Sequence, residues 1–346
     1  MSVVRTQEVQ LEYQGYIDSP PITTGQMYQQ ACASDKVTCD AWRDVWLKNA
    51  KANKERFGSF CDNSIGQLYG LFRNQPVIIA GSGPSLKYNI HQLKNRGKAG
   101  LVSCLHNFHF MEDAGAAPDL YVSLDAGPVT IEEVSEGGTK TPEEYWELTK
   151  GRTLACFIGT DPKLLEKWQG KVLFYRCPIP DPQIETFFEE LESFHAYVSC
   201  GGNVLGSCMY IARCYLGGCP IIFIGADFSF SQEASKKTGH LQFHPWDSKY
   251  DQGIGQVMRV CDVFGNLVKT WPSYWSFKNF FDRTVIEHPA MWINATEGGI
   301  FGAYREGNIK QLHQMKLEDV LKMYQFPDNF EGQALRPHIS DKRIAW

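Results

Sequence analysis

The sequence predicts a doubly wound, mostly parallel α/β sheet of the Rossmann type, with an α-helical N-terminal extension. Two observations lead to this prediction. The apolar run Val77–Ala80 is followed by a glycine-rich segment, Gly81–Ser85, and then by a helical pattern that begins at Leu86. Further short apolar runs alternate with helical patterns as far as residue 224. Such alternation is typical of a parallel sheet that is covered by helices on both faces.

The residues before the sheet are of two kinds. The first 20 are polar and end in two prolines, which favours an extended arm. From residue 24 to residue 73, apolar and aromatic residues recur at spacings of three and four, which indicates helix. We therefore expect three parts: an N-terminal arm and helical extension (1–72), a Rossmann-like domain (73–305), and a C-terminal helix and tail (306–346).

The expected strands are short and rich in β-branched residues, as strands buried on both faces are. They are Val77–Ala80, Gly100–Leu105, Leu120–Leu124, Thr153–Ile158, Lys171–Tyr175 and Pro220–Ile224. Helices are expected at 86–93, 108–114, 163–168, 204–216 and 317–324. Residues 126–150 are expected to form an excursion over the active face. Residues 229–256 show no clear period, and a loop of that length is usually functional or mobile.

Composition excludes several classes of protein. Of the 346 residues, 43% are hydrophobic and 21% are charged, as in ordinary globular proteins. The net charge is −5, and no block of Lys or Arg suggests a broad nucleic-acid surface. No apolar run reaches the length of a membrane span, and the N-terminus lacks the apolar core of a signal peptide. The eleven cysteines are scattered without C-x-x-C spacing, which predicts a reduced, cytoplasmic protein without a zinc ribbon.

The glycine-rich segment after the first strand is the strongest candidate for ligand binding. It consists of Gly81, Ser82, Gly83, Pro84 and Ser85. Glycines let a backbone approach a ligand closely, and the start of a helix offers N–H groups to phosphate. The segment lacks the third glycine of the dinucleotide fingerprint and the Gly-Lys-Ser/Thr of a P-loop. We expect it to contact a nucleotide, and an ordinary strand-to-helix turn is the alternative.

A second glycine-rich segment precedes the apolar helix that is expected at 204–216. Its polar and glycine residues, Ser199, Gly201, Gly202 and Asn203, are candidates for the same ligand site, or simply a helix N-cap. Asp125 and Asp227 each end an expected strand, where ligands of open α/β sheets bind. The two carboxylates could bind ribose, position an acceptor or hold Mg²⁺, and they could equally be turn or cap residues.

Histidines are the candidates for proton transfer. His240 and His244 lie four residues apart, but the flanking Gly239 and Pro245 place them in a loop, so a metal pair on a helix is not expected. A loop imidazole over the crevice is a reasonable general base. His106 and His109 flank Asn107 after the second expected strand, where the asparagine amide could contact a base or a sugar. A surface or core role is the alternative for each histidine.

Five segments, taken together and in this order, resemble a known family. They are PVIIAGSGPSL (76–86), APDLYVSLD (117–125), GGNVLGSCMYIARCYLGGCPIIFIGADF (201–228), GNLVKT (265–270) and NATEGG (294–299). Over residues 70–305 they resemble the central domain of Maf flagellin glycosyltransferases, which is similar to the archaeal MptE-type 6-hydroxymethylpterin diphosphokinases. The bacterial CMP-sialic-acid sialyltransferases, which work without metal, are more distantly similar.

The resemblance implies roles for individual residues. Gly81 to Ser85 would contact the nucleotide of a donor, and Asn107 its cytidine or the sugar phosphate. Ser199 and Gly201 would line the same site, and His240 would be the catalytic base.

The resemblance also implies a reaction, with two alternatives to it. The implied reaction is transfer of a sugar, plausibly a nonulosonic acid, from a nucleotide-activated donor, with a CMP-sugar favoured and no cofactor required. The acceptor hydroxyl, on a protein or a small molecule, is unknown. The first alternative is a Mg²⁺-dependent diphosphokinase in which Asp125 and Asp227 hold the metal. The second is a non-catalytic nucleotide-binding protein.

Overall fold

A computed structural model describes residues 24–233, 242–243, 258–304 and 307–324 of the chain. The helical extension is one long helix, α1 (Thr24–Phe57), followed by a 3₁₀ turn at Ile65–Leu68. Two asparagines of α1 fix it to the sheet. Asn49 donates to the carbonyls of Ala126 and Gly159, each at 3.0 Å, and Asn53 donates to those of Ile158 and Thr160, each at 2.9 Å. The helix therefore lies against the loops that leave two strands of the sheet.

The centre of the protein is an eight-stranded sheet in which all neighbouring strands are parallel. Its order is β10-β9-β6-β1-β2-β3-β4-β5. The strands are β1 (Val77–Ala80), β2 (Gly100–Cys104), β3 (Leu120–Ser123), β4 (Thr153–Phe157), β5 (Lys171–Tyr175), β6 (Ile221–Ile224), β9 (Trp292–Asn294) and β10 (Leu312–Gln314). A separate antiparallel hairpin is formed by β7 (Met258–Cys261) and β8 (Leu267–Thr270).

Helices cover the sheet, as burial of both faces requires. They are α2 (Leu86–Asn89), α3 (Phe108–Asp113), α4 (Val129–Ser135), α5 (Pro142–Leu148), α6 (Pro162–Lys167), α7 (Pro182–Leu191), α8 (Val204–Tyr210), α9 (Pro272–Glu287) and α10 (Leu317–Met323). Helix α8 continues into a π-helical turn at Ile211–Tyr215 and packs against β1, β2 and β3. All four residues of β1 are completely buried. The prediction of a doubly wound α/β fold with an N-terminal helix is confirmed.

The order of the strands places a topological switch point between β1 and β6. From β1 the chain moves outward in one direction through β2, β3, β4 and β5. It then crosses the sheet through α8, returns to β6 on the other side of β1, and continues to β9 and β10. Ligands of open α/β sheets bind outside the carboxyl ends of the strands at such a point. The loops after β1 and β6 therefore border the expected crevice.

The six strands predicted from the sequence all occur, each within about one residue of its predicted limits. The predicted excursion at 126–150 contains the two helices α4 and α5. The sequence did not predict the hairpin β7–β8, the helices α7 and α9, or the edge strand β10. None of the described helices combines the length and the apolar character that are needed to traverse a bilayer.

Candidate functional site

The loops after β1 and β6 contact each other through their backbones. The N–H of Gly81 donates to the carbonyl of Ile224 and the N–H of Gly83 donates to that of Gly225, both at 2.8 Å. A Cβ atom on Gly81 would lie 2.5 Å from the Gly225 carbonyl oxygen, and one on Gly83 would overlap the carboxylate of Asp227. Real side chains do not tolerate such approaches. The two glycines therefore let the β1 and β6 loops pack against each other.

Asp227 is the residue on which three loops converge. Its carboxylate accepts hydrogen bonds from the Ser85 hydroxyl at 2.8 Å and from the Ser85 N–H at 3.3 Å. Its own carbonyl accepts the N–H of Ile300, from the loop after β9, at 2.8 Å. Asp227 is 5% exposed, and burial raises the pKa of its carboxyl group to about 7, although the bonds from Ser85 oppose the rise. Asp227, which was predicted from its position at a strand end, thus holds the loops after β1, β6 and β9 together.

The segment NATEGG (294–299) takes part in the same convergence. The hydroxyl of Thr296 accepts the N–H of Ala226 at 3.1 Å, and a Cβ atom on Gly299 would overlap the backbone of Asp227. Phe228, the next residue, has a φ of +50°. Residues other than glycine rarely adopt this conformation, and it costs of the order of 1–3 kcal/mol. The Thr270 hydroxyl, which donates to the Phe228 carbonyl at 2.5 Å, helps to hold it.

These bonds restrict how the β1 loop can contact a ligand. The N–H groups of Gly81, Gly83 and Ser85 all donate to the β6 side of the crevice, and Pro84 has no N–H. Pro84 and Ser85 are buried, whereas Ser82 and Gly83 are reached by solvent. A ligand contact by this loop would therefore come from Ser82 and the outer edge of Gly83. The role in nucleotide binding of the five residues stays a prediction.

Asn107 connects the ends of β1 and β2. Its amide nitrogen donates to the carbonyls of Ala80 at 3.2 Å and Gly81 at 3.0 Å, and the residue is completely buried. Its side-chain oxygen accepts no hydrogen bond within the described part of the chain. The same holds for the hydroxyl of Ser123, at the end of β3, which is 2% exposed. Because buried polar atoms are normally paired, both atoms are suited to bind a polar ligand or water.

Asp125 lies on the neighbouring side of the crevice. Its side chain is exposed to solvent. Nevertheless, burial raises the pKa of Asp125 to about 6, with a further contribution from the Glu133 carboxylate. A carboxylate in an open cleft is expected to be surrounded by protein atoms and still to contact solvent. Glu133 itself, on α4, lies 2.7 Å from Nδ1 of His106. Sequence reasoning missed Glu133, because it lies within a Gly-, Thr- and Glu-rich segment for which no helix was predicted.

The second glycine-rich segment lies beside α8 and α9. Asn203 is the N-cap of α8: its side-chain oxygen accepts the N–H of Gly206 at 3.0 Å. A Cβ atom on Gly201 would overlap the ring of Phe280, and one on Gly202 would lie 3.0 Å from Phe277. The start of α8 reaches the β1 loop, since a Cβ atom on Gly81 would lie 3.3 Å from a methyl group of Leu205.

Ser199 lines a pocket that does not include the β1 loop. It lines a small pocket between α8 and α9 together with Met209, Tyr210, Arg213, Cys214, Phe280, Thr284 and Trp292. The structure therefore brings Asn107 and the start of α8 to the β1 loop, whereas Ser199 lines the pocket between α8 and α9. His240 lies outside the described residues, so its predicted role as the base stays a prediction.

In the described part of the chain, Asp125 and Asp227 do not lie close enough to share a Mg²⁺ ion. These residues follow β3 and β6, which are three strand spacings, or about 14 Å, apart. The carboxylate of Asp227 is also bonded to Ser85 and points to the β1 loop. Within the described ranges, no group of three or more His, Cys, Asp and Glu residues is placed to hold a metal ion.

Residues 46–233, more than half of the chain, match the family model described as 6-hydroxymethylpterin diphosphokinase MptE-like. This chain belongs to the MptE-like family. The matched range includes the last third of α1, which carries Asn49 and Asn53, together with both glycine-rich segments and Asp227. No curated protein matches the sequence of this MptE-like chain.

A solved structure is similar to the MptE-like chain in fold. It is the MAf glycosyltransferase from Magnetospirillum magneticum AMB-1, with a TM-score of 0.53 and 18% sequence identity. The match covers 79% of this chain but 38% of that protein. This MptE-like chain therefore corresponds to well under half of the glycosyltransferase. At this identity the similarity shows a shared fold.

Proposed function

We propose that this MptE-like protein is a transferase that binds a nucleotide-linked donor in the crevice between β1 and β6. In the leading version it transfers a sugar, a nonulosonic acid from a CMP-linked donor, to an acceptor hydroxyl. The observation that carries the proposal is the convergence of the β1, β6 and β9 loops on Asp227 at the switch point. A rigid crevice of this kind holds a ligand with little loss of conformational entropy on binding.

The polar groups that face the crevice support a nucleotide-linked ligand. Ser82 carries a hydroxyl group at a position of the β1 loop that solvent reaches. Asn107 offers a buried amide oxygen, and Asp125 a carboxylate inside the cleft. A carboxylate at this position would repel a phosphate but would bind hydroxyl groups. We therefore place the donor phosphate toward Ser82 and the start of α8, and hydroxyl groups of the ribose, the sugar or the acceptor toward Asp125.

Diphosphoryl transfer from ATP is the second candidate, because the family model that matches is named for a 6-hydroxymethylpterin diphosphokinase. That reaction requires Mg²⁺ to neutralise the triphosphate. Asp125 could provide one ligand for the metal. Asp227 lies three strand spacings away, so it could not bind the same ion. Sugar transfer from a nucleoside monophosphate donor places less negative charge in the crevice. The described acidic residues fit that reaction better.

A thermal-shift panel tests the proposal. The protein is heated with CMP, CDP, UDP, GDP or ATP, each with and without Mg²⁺. A ligand that binds only the folded state adds about 2.7 kcal/mol of stability at a hundredfold excess over its dissociation constant. We expect CMP to raise the melting temperature without Mg²⁺. Stabilisation by ATP only, and only with Mg²⁺, would favour diphosphoryl transfer, and no response to any nucleotide would contradict nucleotide binding.

A blocking variant locates the binding. Ser82→Trp places a bulky side chain on the solvent side of the β1 loop, and we expect it to abolish the thermal shift. Ser85 is unsuitable for this purpose, because it is 7% exposed and bonded to Asp227. Ser193→Trp is the matched control, since Ser193 is exposed and follows α7, next to the edge strand β5. Equal loss of the shift in both variants would contradict the location.

A further inference from the structure

A histidine lies beside the loops of the crevice but takes no part in the bonds that hold these loops together. His106 lies in the 3₁₀ turn Leu105–Asn107, directly after β2. The next residue, Asn107, donates to the carbonyls of Ala80 and Gly81 and thereby fixes this turn to the end of β1. The backbone of His106 is therefore held beside the proposed donor site by bonds that do not involve its own side chain.

The imidazole of His106 is oriented by Glu133. Its Nδ1 atom lies 2.7 Å from Oε1 of Glu133, and the two side chains are 15% and 8% exposed. A neutral imidazole at this distance from a carboxylate has its proton on Nδ1, and the lone pair is then on Nε2. Glu133 reaches this position because α4 packs against the turn that contains His106. The pair thus has the arrangement of a base and the acid that orients it.

Other ionisable groups surround the pair. The Asp125 carboxylate, at the end of β3, interacts electrostatically with both His106 and Glu133. His109, on α3, interacts with His106, and burial lowers its pKa. A positive charge that forms on His106 would therefore face two carboxylates. Such an arrangement stabilises an imidazolium ion as it forms.

Two buried polar atoms at the same strand ends are suited to bind a polar group. The side-chain oxygens of Asn107 and Ser123 are buried and accept or donate no hydrogen bond within the described residues. Asn107 follows β2 and Ser123 is the last residue of β3, and the ends of these two strands also carry His106 and Asp125. These four side chains come from two adjacent strand ends. They provide a base, hydrogen-bonding groups and a negative charge on neighbouring strand ends.

We propose that His106, oriented by Glu133, is the base that removes the proton from the acceptor hydroxyl. This inference rests on the proposed sugar transfer. The acceptor oxygen forms a bond to the anomeric carbon of the donor while its proton passes to Nε2 of His106. The bond between the anomeric carbon and the phosphate oxygen breaks, and its electron pair leaves with the nucleoside monophosphate. The imidazolium then returns the proton to water.

The assay follows release of CMP from a CMP-linked nonulosonic acid, with water as the acceptor. We expect His106→Ala to lower kcat by about 10²- to 10⁴-fold, the usual contribution of a general base. The thermal shift caused by CMP should remain as in the unchanged protein. Added imidazole should restore part of the rate, which a purely structural role of His106 would not allow. Glu133→Gln should lower kcat less and leave CMP binding unchanged.

His195→Ala is the matched control, since His195 is an exposed histidine whose Nε2 lies 3.9 Å from a glutamate, Glu189, far from the crevice. Its rate should equal that of the unchanged protein. His240→Ala tests the rival base that the sequence resemblance implies. Full activity in His106→Ala with loss of activity in His240→Ala would overturn the proposal. Loss of both CMP binding and imidazole rescue in His106→Ala would also overturn it.

Failure of the proposed function itself would look different. In that case the unchanged protein would show neither a thermal shift with CMP nor release of CMP. His106 would then have no sugar transfer to serve, and the proposal would fall together with the function. A protein that binds and releases CMP with His106 replaced would refute only the role of His106.

Discussion

The replacement of Asp227 by Asn changes the charge at the centre of the crevice while it preserves the shape of the side chain. The carboxylate accepts two kinds of hydrogen bond from Ser85, one from the hydroxyl and one from the N–H. The amide oxygen of an asparagine can accept the N–H bond, and its nitrogen can donate to the Ser85 hydroxyl. The contacts between the loops should therefore survive, and the main change is the loss of a buried negative charge.

The magnitude follows from the pKa of Asp227, which burial raises from 3.8 to about 7. Below pH 3.8 the group is protonated in the folded and unfolded states, so it causes no loss of stability. As the pH rises toward 7, the unfolded chain ionises first, and the free energy of unfolding falls. The total loss is about 4 kcal/mol, of which about 2.5 kcal/mol falls between pH 5 and pH 8.

Urea denaturation of both proteins at pH 5 and pH 8 measures this effect. Because all other groups are shared, the stability of Asp227→Asn minus that of the unchanged protein should rise by about 2.5 kcal/mol from pH 5 to pH 8. Asp40→Asn, at an exposed position on α1, controls for the removal of one negative charge. A difference that is independent of pH, or that falls as the pH rises, would refute the assignment of a desolvated carboxylate to this position.

Two further substitutions test the packing around the crevice by thermal or urea denaturation. Gly83→Ala should destabilise the protein by about 3 kcal/mol and abolish nucleotide binding, because the added methyl group overlaps Asp227. Asp282→Asn should cost about 3–5 kcal/mol, since it leaves Lys278 buried without its partner at 2.7 Å, whereas the double variant Lys278→Met/Asp282→Leu should recover most of that loss.

Different outcomes would contradict these two expectations. A stability of Gly83→Ala within about 0.5 kcal/mol of the unchanged protein would show that the β1 and β6 loops do not pack as described. A double variant as unstable as Asp282→Asn would show that the buried pair does more than neutralise its own charges. In the structure, Lys278 also donates to the carbonyl of Ala303 at 2.9 Å, and Asp282 accepts the N–H of Gly302 at 2.9 Å.

The central strands could be predicted from the sequence because they are buried on both faces. Val77–Ala80 and Ile221–Ile224 are continuous apolar runs. They are too short for a buried helix, so a buried strand is the interpretation that fits them. The edge strand Leu312–Gln314 contains one buried residue, and its polar composition gave no such pattern. In α9, the buried charges of Lys278 and Asp282 interrupt the apolar face. The helical period of α9 was therefore hidden, because these two residues find their charged partners only in the folded protein.

The candidate site could be predicted in part. The sequence identified Gly81–Ser85 and Asp227 separately, but their bonds to each other join residues about 140 positions apart. Which groups accept the hydrogen bonds of the loop N–H groups depends on that pairing. The acceptors could therefore not be predicted from the local sequence. Glu133 was missed for a similar reason. Its contact with His106 depends on the packing of α4, which lies in a segment whose Gly, Thr and Glu residues show no clear period.

Hydrogen exchange measured by mass spectrometry, with and without the nucleotide that stabilises the protein most, tests the central claim most directly. If the donor binds at the switch point, nucleotide should slow exchange in peptides that cover Ser82, the turn Leu105–Asn107 and the start of α8. Exchange in the peptide that covers the surface helix α7, beside the edge strand β5, should not change. Slower exchange confined to other parts of the protein, or no change in these three segments, would contradict the location of the site.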